Sequence, residues 1–304
     1  MNILILAHNR LESFKHLLSS CMGIKDAKIW ISVDKGNSNK NHELINYIEK
    51  IHDGSNFFYQ ISEKNLGVRD GVYFGIDWFF ESVENGVILE EDLILNNKAL
   101  EYLFKNDEIK DIDILNLSCF DNSEVNKNSI NLSKVQDFYM WGWISKKSVW
   151  NEFKNYRSKS IFNYFPHKFF IKTGFLSYFQ WLFISILLKK NHIDSWGYRF
   201  LFFTIFKNKS SYRTSPPVAV NNGLDEGANY TKLTLKRKNL INRCDKNLLE
   251  YDVNQSTYLY RTDIEKNHFL HAHKTRHNIS LYQALKAFLW IVFPIRIFLK
   301  NLFK

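Results

Sequence analysis

The sequence predicts an α/β fold with a largely parallel sheet and flanking helices, and three observations carry that expectation. Short aliphatic runs alternate with stretches whose apolar residues recur at helical spacing. The polar residues that punctuate them follow the strands, where open parallel sheets place their ligand loops. The chain of 304 residues is 45% hydrophobic and 16% aromatic, with only four prolines and twelve glycines. It can therefore bury a large core and is neither linker-rich nor disordered.

Ile3 to Ala7 is the first strand, ended by His8-Asn9-Arg10. A helix follows, because Leu11, Phe14, Leu17, Leu18 and Cys21 fall on one face. Ala27 to Val33 is the second strand, closed by Asp34 and the turn residues Gly36 and Asn37, and Phe57 to Ile61 is the third. Asn65-Leu66-Gly67 turns into a helix with Val72, Ile76, Phe79, Phe80 and Val83 on its buried stripe. Val87 to Glu91 is the fourth strand and Ile112 to Leu117 the fifth. Met140-Trp141-Gly142-Trp143 reads as a late strand, and Trp196 to Phe206 as a helix. The apolar stretch Phe175 to Leu188 is shorter than the roughly 20 residues that span a bilayer. Gln180 interrupts it, so it is expected as a buried helix.

The fourth strand carries the most informative chemistry. Glu90-Glu91-Asp92 interrupts the aliphatic run Val87 to Leu95. Buried carboxylates are costly unless a cation pairs with them. Acids at the end of a core strand therefore suit a divalent ion, and hard oxygen ligands favour Mg²⁺ or Mn²⁺. The alternative is a strand running out into solvated acids. The formal charge of +10 points to an anionic partner. No nucleic-acid signature is present, and the aromatic residues are mixed with aliphatic runs rather than set out for base stacking, so nucleic acid is not expected. Anionic lipid and nucleoside diphosphates fit better. Cys21, Cys119 and Cys244 are too few and scattered for a disulfide framework, which suits a reducing cytosol. The N-terminus enters a strand directly, with no basic segment or cleavage site of a signal peptide.

Ala7-His8-Asn9-Arg10, Ser32-Val33-Asp34, Asn65-Leu66-Gly67 and Ile88-Leu89-Glu90-Glu91-Asp92, in this order, resemble a GT-A glycosyltransferase with its Rossmann-like mixed sheet. More narrowly, they are similar to bacterial nucleotide-diphospho-sugar transferases related to the Golgi enzyme that adds the branching N-acetylglucosamine. The resemblance covers residues 1 to 235 and implies a donor set of Ala7, Asn9, Arg10, Asp34, Asn65, Arg69, Glu90 and Glu91. Within it, Asn9 and Arg10 flank the base and Asp34 meets base or ribose. Asp92 is the metal ligand, with Glu90 and Glu91 assisting from behind the ion or through the ribose. A Gly-Trp element approaches the donor sugar in the relatives, which places Trp141, Gly142 and Trp143 at the donor. The alternative is two core tryptophans around a turn. The segment His192 to Arg199 resembles the family's Asp-x-Trp-x-x-Arg, which makes Asp194 the catalytic base. Asp194 could equally cap the helix that starts at Trp196. Pro216 to Gly223 matches the final strand and glycine turn, but Ala228-Asn229-Tyr230 lacks the histidine that often follows.

Residues 236–304 are expected as a C-terminal helical extension. His268, His271, His273 and His277 lack zinc spacing and read as a basic segment. From Leu281 to Lys304, apolar residues alternate with Lys286, Arg296, Lys300 and Lys304, with no acid. That pattern suits an interfacial helix on anionic lipid, or a helix packed on the catalytic domain or a second subunit. Together these readings give a cytoplasmic enzyme, peripheral at the inner face of the plasma membrane. Its expected partners are a nucleotide-sugar donor, probed first as a uridine diphosphate sugar, and a glycan or lipid-linked acceptor, with homo-oligomerisation open. The competing classes are a nucleotidyltransferase and a non-catalytic glycan-binding protein of the membrane surface.

Overall fold

Alternation along the strands sets the architecture. In β1 (Asn2–Ala7), Ile3, Ile5 and Ala7 join one buried cluster while Leu4 and Leu6 join another. Successive side chains of a strand leave opposite faces, so this sheet is covered on both sides. The computed structural model describes residues 1–51, 56–118, 129–135, 137–157, 184–185, 188, 195–223, 249–251, 253 and 259–262.

The chain runs from β1 through α1 (Leu11–Met22), β2 (Lys28–Val33), α2 (Asn39–Ile51), β3 (Phe57–Ile61), α3 (Gly67–Ser82) and β4 (Asn85–Glu90). The strands β1 to β4 form parallel pairs in the order β4-β1-β2-β3. After β4 come β5 (Leu93–Leu95), α4 (Asn97–Lys105), β6 (Ile114–Asn116), β7 (Ile130–Val135), β8 (Trp143–Lys146) and α5 (Lys147–Arg157). Then follow α6 (Trp196–Phe206), β9 (Ser211–Ser215), β10 (Ala219–Asn221) and β11 (Leu259–Thr262). The main sheet has nine strands in the order β11-β7-β9-β6-β8-β4-β1-β2-β3, and β10 with β5 forms a small antiparallel ribbon. Strand β8 runs antiparallel to both β4 and β6, which makes the sheet mixed.

One face is covered by α1, α2 and α4 through Phe14, Leu17, Leu44, Ile48, Leu100 and Leu103. The other is covered by α3, α5 and α6 and is strongly aromatic. Phe138 and Phe200 lie 4.7 Å apart there, and Phe153 and Phe200 4.9 Å, in edge-to-face packing.

The expected elements up to β4 are present, with β1, β2, β3, α1 and α3 within two residues of their predicted bounds. Three differences are informative. The late strand begins only at Trp143, because the backbone before it turns through Gly142 at φ 81°, a conformation that favours glycine. The fifth strand is shorter than expected, Ile114–Asn116. The N-cap of α6 is Ser195, whose hydroxyl accepts from the Tyr198 N–H at 3.4 Å, so the capping role is not Asp194's. Beyond residue 235, β11 adds to the sheet beside β7 and the Asn96 amide donates to the carbonyls of Leu249 and Tyr251. Of the stretch expected as a buried helix, Ile184, Ser185 and Leu188 are described, and all three are helical and buried. Asp194, Asn229, the histidine cluster and residues 281–304 lie outside the described residues.

Candidate functional site

A cleft of about 370 Å³ opens at the carboxyl ends of β1, β2 and β4. Open α/β sheets place their ligands at this edge. Ala7, His8, Asn9, Arg10, Asp34, Asn65, Glu90, Glu91 and Asp92 all line it. The sequence-predicted residues from four separate strand ends are therefore brought together. Among the described lining residues, Asp34, Glu90, Glu91 and Asp92 are carboxylates and Arg10 is the arginine.

The three consecutive acids diverge. Glu91 is buried and turned back into the β1–α1 loop, where its two oxygens accept from the His8 N–H at 2.8 Å and the Asn9 N–H at 3.2 Å. Burial pushes its carboxyl above the ordinary range, while the backbone N–H groups of His8, Asn9 and Arg10 pull it back. Asp92 lies in the turn between β4 and β5. Its Oδ2 accepts from Arg10 Nη1 at 2.7 Å and its Oδ1 from the Asn221 amide at 3.1 Å. Glu90 is half-buried at the end of β4, and among the described residues its carboxyl has no hydrogen-bond or ion-pair partner. Burial first, and then the charges of Asp92 and Glu91, push it up to about 8, against an opposing pull from Arg10.

Asp34 is occupied by the fold. Its Oδ1 accepts from the Leu66 N–H at 2.8 Å and the Ser62 hydroxyl at 3.2 Å, and its Oδ2 accepts from the Gly67 N–H at 3.0 Å. It thus satisfies orphan donors at the start of α3 from across the sheet, since Leu66 at the N-cap has no side-chain oxygen. The Leu66 and Gly67 N–H groups at the start of α3 are thus already engaged within the fold. Asn65 is exposed, with its side-chain oxygen accepting from the Gly67 N–H at 2.9 Å.

The remaining predicted residues sit apart from the cleft lining. Arg69 pairs with its neighbour Asp70 at 2.8 Å. Trp143 is 1% exposed and packs among Phe138, Trp150, Trp196 and Phe200, so it is a core residue rather than a donor contact. Trp141 packs against the opposite core cluster, and the space beside Gly142 is bounded by Leu89, Leu93 and Ala219.

Two structural residues of the site carry no catalytic motif in the sequence. Asn41, fully buried near the start of α2, donates to the carbonyls of His8 and Asp34 and accepts from the Gly36 N–H at 2.8 Å. It ties the loops after β1 and β2 together. Ser62, also buried, accepts from the Lys35 N–H at 2.8 Å, and its single hydroxyl hydrogen is shared between the Lys64 carbonyl at 2.7 Å and Asp34 Oδ1 at 3.2 Å. The one sequence signal for either was a polar side chain beside a strand end.

Among the described residues no three His, Cys, Asp or Glu side chains converge as a preformed metal cage. The donor set nevertheless fits a Mg²⁺- or Mn²⁺-type ion, which is held by one or two carboxylates together with substrate phosphates and water. Glu90 is a half-buried carboxyl that has no partner among the described residues and lies beside Asp92, and the cleft has more acids than cations to match them.

No protein-family profile and no curated protein sequence matches the chain. Solved structures do resemble it. S. aureus TarS residues 1–349 in complex with UDP-GlcNAc aligns with a TM-score of 0.49 at 11% identity, over 94% of this chain and 79% of that one. The glycosyltransferase GlyE of Streptococcus pneumoniae gives 0.39 at 15% identity, over 69% and 44%. The mannosyltransferase of Pyrobaculum calidifontis in complex with GDP-Man and Mn²⁺ gives 0.36 at 8%, over 50% and 46%. The chain thus spans less than half the length of the last two proteins. None of these three scores reaches 0.5, and the reading of the cleft is built on its own residues.

Proposed function

We propose that the chain is a glycosyltransferase that moves a sugar from a nucleoside diphosphate to a glycan or lipid-linked acceptor, using Mn²⁺ or Mg²⁺. The observation that carries this reading is the acid-rich cleft at the ends of β1, β2 and β4, with Glu90 beside Asp92 and without a partner among the described residues. A diphosphate entering among four carboxylates and one arginine needs a companion cation. Asp92 and Glu90 would hold that ion, and the diphosphate oxygens and water would complete its shell. When bound, the ion supplies charge neutralisation to the departing diphosphate.

The nucleoside would lie toward Asp34 and Gly67, and the diphosphate toward Arg10 and Asp92. Arg10, standing at the N-cap of α1, is half-buried and already aimed at that end of the cleft. The reaction is a single displacement with inversion. The acceptor oxygen bonds to the anomeric carbon, the bond to the diphosphate breaks with its electron pair, and Asp194 takes the acceptor proton. The C-terminal segment 281–304 would hold the enzyme on anionic lipid. No helix among the described residues is long and apolar enough to cross a membrane.

The test is a hydrolysis screen of several nucleotide sugars with and without Mn²⁺. A transferase leaks nucleoside diphosphate slowly, a nucleotidyltransferase releases pyrophosphate, and a binding protein releases nothing. Asp92→Asn should abolish Mn²⁺-dependent nucleotide binding, read by thermal shift. Wild-type-like binding by that variant would refute the site assignment.

A further inference from the structure

Arg10 holds more than one partner. Its Nη1 donates to Asp92 Oδ2 at 2.7 Å and to the Gly223 carbonyl at 3.1 Å. Asn221 donates to Asp92 Oδ1 at 3.1 Å and accepts from the Gly223 N–H at 2.8 Å, and the Asn222 N–H donates to the Asp92 carbonyl at 2.8 Å. The turn after β10 is thereby closed over the end of β4. Gly223 lies directly on the ion pair, since a Cβ there would stand 1.9 Å from both Arg10 Nη1 and Asp92 Oδ2.

Both oxygens of Asp92 are therefore engaged before any donor is present. A divalent ion on Asp92 would face the Arg10 guanidinium across one carboxylate, and like charges this close oppose each other in a half-buried cleft. We infer that Arg10 is an internal cation that holds Asp92 and the Asn221–Gly223 turn together, gives up Asp92 when the ion arrives, and turns to the donor diphosphate. Arg10 thus couples release of that turn to donor entry. This rests on the donor site proposed above, and it moves Arg10 from beside the base to the diphosphate.

The inference makes two effects of opposite sign. Removing the competing cation should tighten binding of Mn²⁺ alone, whereas removing a diphosphate contact should weaken uridine diphosphate in the presence of Mn²⁺. A charge within a few ångströms shifts a neighbouring equilibrium by about one log unit or more, so each change should be about tenfold. Titration calorimetry of wild type and Arg10→Gln, first with Mn²⁺ and then with uridine diphosphate at saturating Mn²⁺, reads both. Limited proteolysis after residue 223 reports release of the turn, which should increase with Mn²⁺ in wild type and be constitutive in Arg10→Gln. Should Arg10→Gln not fold, Arg10→Lys serves, with both effects smaller in size and unchanged in sign. Unchanged or weaker Mn²⁺ binding by the variant would overturn the exchange. A wild type that binds no nucleoside diphosphate with Mn²⁺ would instead sink the donor reading itself.

Discussion

Asp34 offers the sharpest separation between holding the fold and holding a ligand. Its carboxylate accepts from Leu66 N–H, Gly67 N–H and the Ser62 hydroxyl. Asp34→Ala removes all three contacts and the negative charge at the start of α3. Losing a side-chain cap costs about 1 kcal/mol, and removing a hydrogen bond to a charged group costs about 1.5–3 kcal/mol. Water reaches part of this edge, so the net loss should be about 2–4 kcal/mol. For a chain of this size that is a fall in Tm of about 3–6 °C. Asp34→Asn is the finer tool. In either orientation its NH₂ faces a backbone N–H, Gly67 in one case and Leu66 in the other, so it should lose about half as much. Urea denaturation followed by tryptophan fluorescence, without nucleotide, measures both. If both variants unfold within about 0.5 kcal/mol of wild type, the spread of ordinary surface substitutions, Asp34 is not the anchor of α3. It would then return to recognition of base or ribose as its main role.

Glu90 makes stability depend on pH in an unusual direction. Its pKa is raised from the ordinary carboxylate value to about 8, so the stability its protonation lends is full below about 4.5 and is lost as pH rises through 8. In chelator, the wild-type urea midpoint should fall between about pH 5.5 and pH 8.5, and Glu90→Gln should flatten that fall; parallel profiles would refute it. For Asp194, the expectation is a loss of transfer of at least about a hundredfold in Asp194→Asn, the scale of general-base assistance, with Tm unchanged. Ser195→Ala should show the opposite pattern, about 1 kcal/mol of stability with transfer near normal, because Ser195 makes the cap. A fast but less stable Asp194→Asn would return that residue to the structural column and make Asp225 or Glu226 the next base to test.

What the sequence disclosed depended on how completely each element is buried. β1 and β4 carry uninterrupted apolar runs, and β2 one broken only by Ser32, because both sheet faces are covered, and such runs are readable. Helix α2 was not read. In Asn39–Ile51 the fully buried apolar residues are Leu44 and Ile48, too narrow a stripe to stand out against its polar neighbours. β7 alternates apolar and polar residues only over its first four positions, before Lys134 breaks the pattern, and β11 pairs with it from more than a hundred residues away. Pairing at that distance leaves no local trace. Trp143 was placed at the donor through its neighbour Gly142, whereas the positive φ at Gly142 turns the following strand so that Trp143 enters the aromatic core.

The acid triplet was legible as a cluster but not as a division of labour. Successive residues at a strand end leave on opposite sides, so Glu90 and Glu91 cannot converge on one ion. Glu91 spends its oxygens on the backbone of the loop that presents His8, Asn9 and Arg10. Asp92, two residues beyond the strand, comes back toward the cleft edge and meets Arg10 and Asn221. Of the three, Glu90 has a carboxyl without a partner among the described residues, and its raised pKa follows from burial first and then from the like charges of Asp92 and Glu91. Of three adjacent carboxylates, one therefore holds a loop and one holds a turn, and the third is the one that the proposed function assigns to a cation. Neutralising each in turn should accordingly give three different phenotypes, and identical losses at all three positions would mean that the triplet acts as one undivided patch of charge.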